Sequence, residues 1–236
     1  FSKAKQVLED LPTRNSVSWN ALISGYAQHG QDTEALKCFR RMQCQGISPE
    51  PVTFTCMLKA CSSLACLELG EEIHTEVIKL GFFGKYIIIG NALIDMYVKC
   101  GMLETANEVF EKIPERNVIS WNSLIVGYTE HGHGEKAIKL YHFMLHSNIQ
   151  PDEHTHVIAM KASANMASVR HGSGIYIHVV ENGFESNLFI LNAVIHMYSK
   201  CLCFDDASTS FNMSQVHDVI TWNVMLEAFV QQGSYH

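Results

Sequence analysis

Apolar residues along this chain recur three or four positions apart, in short blocks separated by glycine or proline. Trp19, Leu22, Ile23, Tyr26 and Ala27 fall on one helical face. Gly30 follows them and, lacking a Cβ, allows a helix to stop there. A second block, Ala35, Leu36, Phe39 and Met42, keeps the same spacing and closes at Gly46 and Pro49. The pattern returns as Trp121, Leu124, Ile125, Tyr128 and Gly132, then Ala137, Leu140, Tyr141, Met144 and Pro151. It predicts pairs of amphipathic helices. Pro12 and Pro114 close shorter blocks, so every proline except Pro51 sits at a recurring junction.

These blocks are copies of one another. Ser18-Trp19-Asn20-Ala21-Leu22-Ile23 reappears as Ser120-Trp121-Asn122-Ser123-Leu124-Ile125 and as Thr221-Trp222-Asn223-Val224-Met225-Leu226. Asn91-Ala92-Leu93-Ile94-Asp95-Met96-Tyr97 matches Asn192-Ala193-Val194-Ile195-His196-Met197-Tyr198, and Lys99-Cys100 and Lys200-Cys201 follow. Asn20, Thr55, Asn91, Asn122, Val157, Asn192 and Asn223 hold equivalent places, spaced 35, 36, 31, 35, 35 and 31 residues apart. Units of three lengths therefore alternate in fixed order: 16–50, 51–86, 87–117, 118–152, 153–187 and 188–218, with half units at 1–15 and 219–236. The expectation is a chain that begins inside a unit.

A two-helix unit cannot bury both of its faces alone, whereas stacked neighbours share a continuous core. The expected fold is all-α, a right-handed superhelical α-solenoid of helix-turn-helix repeats. The first helix of each unit is expected to line a long concave wall suited to an extended ligand. Composition agrees: 47% of residues are apolar and 17% charged, which argues against disorder. The formal net charge of −7 runs against the basic balance usual in nucleic-acid binders. The eight cysteines, Cys38, Cys44, Cys56, Cys61, Cys66, Cys100, Cys201 and Cys203, lie in apolar helical runs. They read as reduced, buried or half-buried thiols in a reducing compartment. No apolar run approaches membrane-spanning length, and no targeting segment is visible at Phe1.

The markers Val17 to Tyr26, Asn91 to Gly101 and Ala106-Asn107-Glu108-Val109-Phe110, with Ile113-Pro114-Glu115-Arg116-Asn117-Val118 after the last, resemble plant pentatricopeptide-repeat proteins of the subclass built from P, L and S repeats. The order of unit lengths matches as well: P at 16–50 and 118–152, L at 51–86 and 153–187, S at 87–117 and 188–218, a partial S repeat at 1–15 and a partial P repeat at 219–236. The tetratricopeptide pattern fits less well, because Trp19-Asn20-Ala21-Leu22-Ile23-Ser24-Gly25-Tyr26 has no glycine directly after Leu22.

The resemblance implies binding of single-stranded RNA at one base per repeat, read by the fifth and last residues of each unit. Asn20 with Glu50 then reads a pyrimidine, Asn91 with Asn117 reads C or U, and Asn122 with Asp152 and Asn192 with Asp218 each read U. Thr55 with Tyr86 and Val157 with Asn187 stay undecoded, and Asn223 opens a last pair. The implied register, 5′ to 3′, is Y-?-Y-U-?-U-Y. The second residues, Val17, Val52, Ile88, Ile119, Phe189 and Ile220, are implied base wedges, and His154 departs from that pattern. The resemblance also implies selection of C-to-U editing sites in mitochondria or chloroplasts, with other RNA-processing proteins as partners.

Nothing in the chain points to an enzyme, a cofactor, a small-molecule substrate or a membrane. His74-Thr75-Glu76 looks like half of a zinc deaminase motif, but no Pro-Cys-x-x-Cys accompanies it. Cys56, Cys61 and Cys66, and likewise Cys201 and Cys203, lack zinc spacing. His142 and His146 share a helical face, where a solvated surface is the plainer reading. A peptide- or protein-binding scaffold within a ribonucleoprotein stays open as the alternative function.

Overall fold

The structure is a computed structural model and describes residues 1–214 and 216–233. Gln215, inside the third expected short unit, and residues 234–236 of the last half unit lie outside the described residues. Among those described there are fourteen α-helices and no strand, as the periodicity predicts. The chain divides into two compact units, Phe1–Arg116 and Asn117–His236.

In the first unit the helices are α1 (Ser2–Asp10), α2 (Ser16–Gln28), α3 (Asp32–Cys44), α4 (Pro51–Leu64), α5 (Leu67–Lys79), α6 (Ile87–Lys99) and α7 (Leu103–Lys112). α2 packs on α4 and α4 on α6, while α3, α5 and α7 pack against this row. The second unit has α8 (Val118–Glu130), α9 (Gly134–His146), α10 (Glu153–Asn165), α11 (Val169–Glu181), α12 (Leu188–Lys200), α13 (Phe204–Met213) and α14 (Val219–Gly233). There α8, α10, α12 and α14 pack in series, with α9, α11 and α13 against them. No described helix is long and apolar enough to cross a membrane.

The predicted apolar stripes are the core. Trp19, Ile23, Phe39, Met42 and Phe54 are fully buried in the first unit, and Leu124, Ile125, Ala137, Tyr141 and Met144 in the second. Burial of a large aliphatic or aromatic side chain stabilises by about 1.5–3 kcal/mol, so this continuous packing holds the hairpins together. His156 is buried in the second core, its ring against Tyr141 and Phe184 and its Nδ1 3.2 Å from the Tyr141 hydroxyl. Burial pushes its pKa down to about 4, so the imidazole is neutral at pH 7. Cys61 is likewise pushed up to about 12 by burial. All eight cysteines are free, but Cys44 is exposed rather than buried or half-buried.

Pro51, the proline outside the junction pattern, is the first residue of α4. There its fixed φ suits a helix start and its missing N–H is not needed. The short helices α1 and α7 end without a glycine. Instead Arg116 Nε donates to the Phe110 carbonyl (2.9 Å) and Nη2 to that of Glu111 (2.8 Å), while the guanidinium lies 4.7 Å from the Phe110 ring. Arg14 makes the same two bonds to Leu8 and Glu9. In the second unit His217 replaces the arginine: its Nε2 donates to the Phe211 carbonyl at 2.8 Å and its ring stacks on Phe211 at 4.0 Å. Each clamp satisfies a carbonyl that the helix end leaves open.

The turn after α6 runs through Gly101 at φ 76°, with its N–H on Val98 and that of Met102 on Tyr97. The equivalent turn after α12 has the same two bonds but places Leu202 at φ 60°. A side chain with a Cβ is strained in the left-handed region, and Leu202 is exposed and buries little in return. Leu202→Gly is expected to stabilise the chain by about 0.5–1 kcal/mol, the relief of strain less the entropy glycine adds to the unfolded chain. A urea midpoint above wild type supports this; a lower one contradicts it.

Candidate nucleic-acid interface

Each first helix starts with backbone N–H groups that its own turns cannot satisfy. At five of the seven first helices the residue just before the helix satisfies one, whereas Tyr86 before α6 does not. Asn15 accepts from Ser18 N–H (3.0 Å), Asn117 from Ser120 N–H (3.0 Å), Asp152 from Thr155 N–H (2.8 Å) and Asp218 from Thr221 N–H (2.7 Å). Asn187 accepts from both Phe189 and Ile190. Asn117, Asp152, Asn187 and Asp218, expected to read bases, are thus also the caps of the next first helix.

At two junctions this residue also grips the asparagine thirty positions earlier. Asn122 Nδ2 donates to Asp152 Oδ1 at 3.1 Å, and Thr155 Oγ1 donates to Asn122 Oδ1 at 2.7 Å. Asn20 Nδ2 donates to Glu50 Oε2 at 2.9 Å, and the Thr53 hydroxyl donates to Asn20 Oδ1. The longer side chain of Glu50 reaches back to α2 and also accepts from Ser16 Oγ at 2.7 Å. Both asparagines are buried, at 8% and 7% exposure. Burial raises the Asp152 pKa, but the Thr155 N–H, the Thr155 hydroxyl and the Asn122 amide together outweigh it, and the carboxyl titrates below its ordinary value. Asp218 is held low by the Thr221 N–H and hydroxyl, with a bond from Asn192 adding to this.

The other expected readers differ. Thr55 returns its hydroxyl to the Pro51 carbonyl of its own helix at 2.9 Å. The Tyr86 ring packs edge-on against Phe82 and carries the Lys85 ammonium 5.4 Å from its centre. Val157 is half-buried and has no polar side-chain atom, Asn91 is buried on α6, and Asn223 is exposed on α14.

The six expected wedges, Val17, Val52, Ile88, Ile119, Phe189 and Ile220, are all exposed, between 43% and 68%. Each sits three residues before an expected reader, hence on the same helical face. His154, at the departing position, is also exposed. Of the basic residues near these helices, Lys99 pairs with Asp95 at 3.1 Å and Lys161 with Glu130 at 3.8 Å. The His74-Thr75-Glu76 segment is structural: His74 Nδ1 meets the Tyr97 hydroxyl at 2.9 Å and Thr75 bonds to the Glu71 carbonyl. His146 folds onto the His142 carbonyl. Among the described residues no three His, Cys, Asp or Glu side chains gather to hold a metal.

The hydroxyls of Thr53, Thr155 and Thr221 belong to this site and are absent from the expected readers. Their signal is an Asn, Asp or Glu followed three residues later by Ser or Thr, which recurs at Asn15, Glu50, Asn117, Asp152 and Asp218. Read alone, it signifies only a capping box.

A family model described as the PPR repeat family matches residues 14–63 and 116–165, and one described as the PPR repeat matches 52–82 and 91–118. A pentatricopeptide repeat-containing protein of Arabidopsis thaliana is 35% identical over 233 residues, covering 99% of this chain and 32% of that protein. Another from the same plant, named chloroplastic, is 34% identical over 98% of this chain and 29% of its own length. A third, named mitochondrial, is 31% identical over 100% and 42%. The chain thus spans well under half the length of these curated relatives. The crystal structure of the pentatricopeptide repeat protein PPR10 from maize superposes with a TM-score of 0.68 at 21% identity, covering 91% of this chain and 32% of that one. PPR10 in complex with an 18-nt psaJ RNA element superposes with a TM-score of 0.77 at 19% identity, covering 99% and 35%. At these identities the likeness is one of fold.

Asn122→Ala removes a buried group and leaves the Thr155 hydroxyl and Asp152 without it. It is expected to cost about 1–3 kcal/mol. Ile119→Ser, at an exposed position three residues away, is expected to change stability by less than about 0.5 kcal/mol. Urea unfolding of both variants checks this, and an Ile119→Ser loss as large as that of Asn122→Ala contradicts it.

Proposed function

This chain belongs to the plant pentatricopeptide-repeat family, and from that premise we propose that it is the sequence-specific single-stranded RNA-binding module of an organellar RNA-processing factor. The finer reading is a member of the P-L-S subclass that selects C-to-U editing sites. The observation that carries the proposal is the asparagine held between a carboxylate and a threonine near the start of α2 and of α8, beside an exposed apolar side chain. An unpaired buried-type apolar row is costly to expose and useful for stacking: an aromatic or aliphatic face against each base contributes about 1–3 kcal/mol in single-strand binders.

The chemistry of the readers supports pyrimidines. The Asn amide can donate to a pyrimidine carbonyl. A carboxylate in the second place only accepts, which favours the N3–H of uracil over the unprotonated N3 of cytosine. Asp152 and Asp218 are both ionised at pH 7, being held below the ordinary aspartate pKa. The 5′-to-3′ register is Y-?-Y-U-?-U-Y, with its fourth base on Asn122 and Asp152 and its sixth on Asn192 and Asp218. Location in a mitochondrion or chloroplast is proposed from relatives named for those organelles.

A protein-binding scaffold is the second reading, favoured at the two long units. There Thr55 is tied to its own helix and Val157 has nothing to donate, so neither offers the paired reader found at Asn20 and Asn122.

Asp152→Ser separates the two. A hydroxyl can donate to cytosine N3, so preference at the fourth base of a Y-N-Y-U-N-U-Y RNA is expected to move from U toward C in competition binding. The same relative affinities in variant and wild type contradict base reading by this pair.

A further inference from the structure

Thr155 does more at its junction than close a helix cap. Its Oγ1 lies 2.7 Å from Asn122 Oδ1, and two oxygens approach so closely only with a proton between them. The amide oxygen has none to give, so the threonine hydroxyl supplies it, its one proton shared between Asn122 Oδ1 and Asp152 Oδ1. The same Oγ1 accepts the Asp152 N–H at 3.1 Å and lies 2.8 Å from Asp152 Oδ1. That carboxylate oxygen already accepts the Thr155 N–H and an Asn122 N–H. The Asn122 amide is therefore fixed at both ends: its oxygen is taken by Thr155 and one N–H by Asp152. A single N–H is left over. Thr53 holds Asn20 in the same way, with Glu50 in place of Asp152.

The third junction differs. Thr221 Oγ1 donates to Asp218 Oδ1 at 2.8 Å, and Asn192 Oδ1 is buried with no partner among the described residues. Here no hydroxyl holds the asparagine oxygen in place.

We propose that Thr155 and Thr53 are positioning residues that make Asn122 and Asn20 donor-only readers, while Asn192, without such a lock, reads with less discrimination. The inference rests on the proposed RNA reading. A donor-only asparagine rewards a base that presents a carbonyl, as both pyrimidines and guanine do and adenine does not. An asparagine whose oxygen no hydroxyl holds can turn its amide to present either edge, so a base with an amino donor, adenine above all, gains as well. Threonine in the third place thus narrows the choice that asparagine alone would leave open.

The test is competition binding of the whole chain to Y-N-Y-X-N-X-Y RNAs in which the fourth or the sixth base is varied in turn through all four bases. In the wild type, preference for carbonyl-bearing bases over adenine is expected to be stronger at the fourth base than at the sixth. Thr155→Val keeps the side-chain shape but removes the donor, and is expected to reduce the fourth-base preference about fivefold, the weight of one net hydrogen bond. Sixth-base preference should stay unchanged. Thr155→Ser restores the hydroxyl and the preference, which mere loss of fold would not allow. Thr53→Val gives an independent second junction at the first base. Equal wild-type preference at the fourth and sixth bases, or a Thr155→Val chain that keeps its fourth-base preference, overturns the lock while leaving base reading intact. A wild-type chain blind to the fourth base, and indifferent to Asn122→Ala, overturns the reading itself.

Discussion

The start of each first helix is the constraint on which the rest of this structure turns. Its leading N–H groups need an acceptor from outside the helix, and at five of the seven first helices a short polar side chain immediately upstream supplies it. At Asp152 that side chain also binds Asn122 of the preceding unit, and at Glu50 it binds Asn20. One residue therefore closes a helix, joins two hairpins and faces the proposed ligand. At both junctions that residue stands 30 positions after the asparagine it binds. Stacking of the apolar faces supplies the stability, but this polar hinge sets the register in which the faces stack.

The same residue sets a limit on binding. Glu50, Asp152 and Asp218 place negative charge beside the readers, and two of the nearby lysines are already engaged by Asp95 and Glu130. An acid proposed to favour uracil would also repel phosphate. In the proposed reading, affinity comes from stacking on the exposed apolar row and from base-edge hydrogen bonds rather than counterion release, and its dependence on salt is expected to be shallow.

Much of this was legible in the sequence because burial imposes periodicity. Trp19, Phe39, Trp121 and Tyr141 lie in the core where helical spacing put them, and Gly30, Gly101 and Gly132 turn the chain with positive φ. The recurring Asn marked Asn20 and Asn122, which the structure hydrogen-bonds to the residue before the next first helix. What was hidden is polar atoms meeting across hairpins. Thr53 and Thr155 look like ordinary members of a capping box, and nothing in their spacing says that the hydroxyl turns to an asparagine some thirty residues earlier. The clamps of Arg14, Arg116 and His217 on helix carbonyls were equally silent, since an arginine and a histidine in a loop carry no periodic signal. Leu202 and Ala65 occupy the left-handed turns that glycine takes elsewhere. Cys44 escaped the core because it falls at the end of α3, just past the stripe that Phe39 and Met42 define.

The most direct test of the central claim is the affinity of this chain for three single-stranded RNAs of equal length at fixed salt. One carries Y-N-Y-U-N-U-Y, one is a scramble of the same bases, and one is purine-rich. The account predicts the tightest binding to the first, with the purine-rich strand weakest. Equal binding to all three, or none to any, contradicts it.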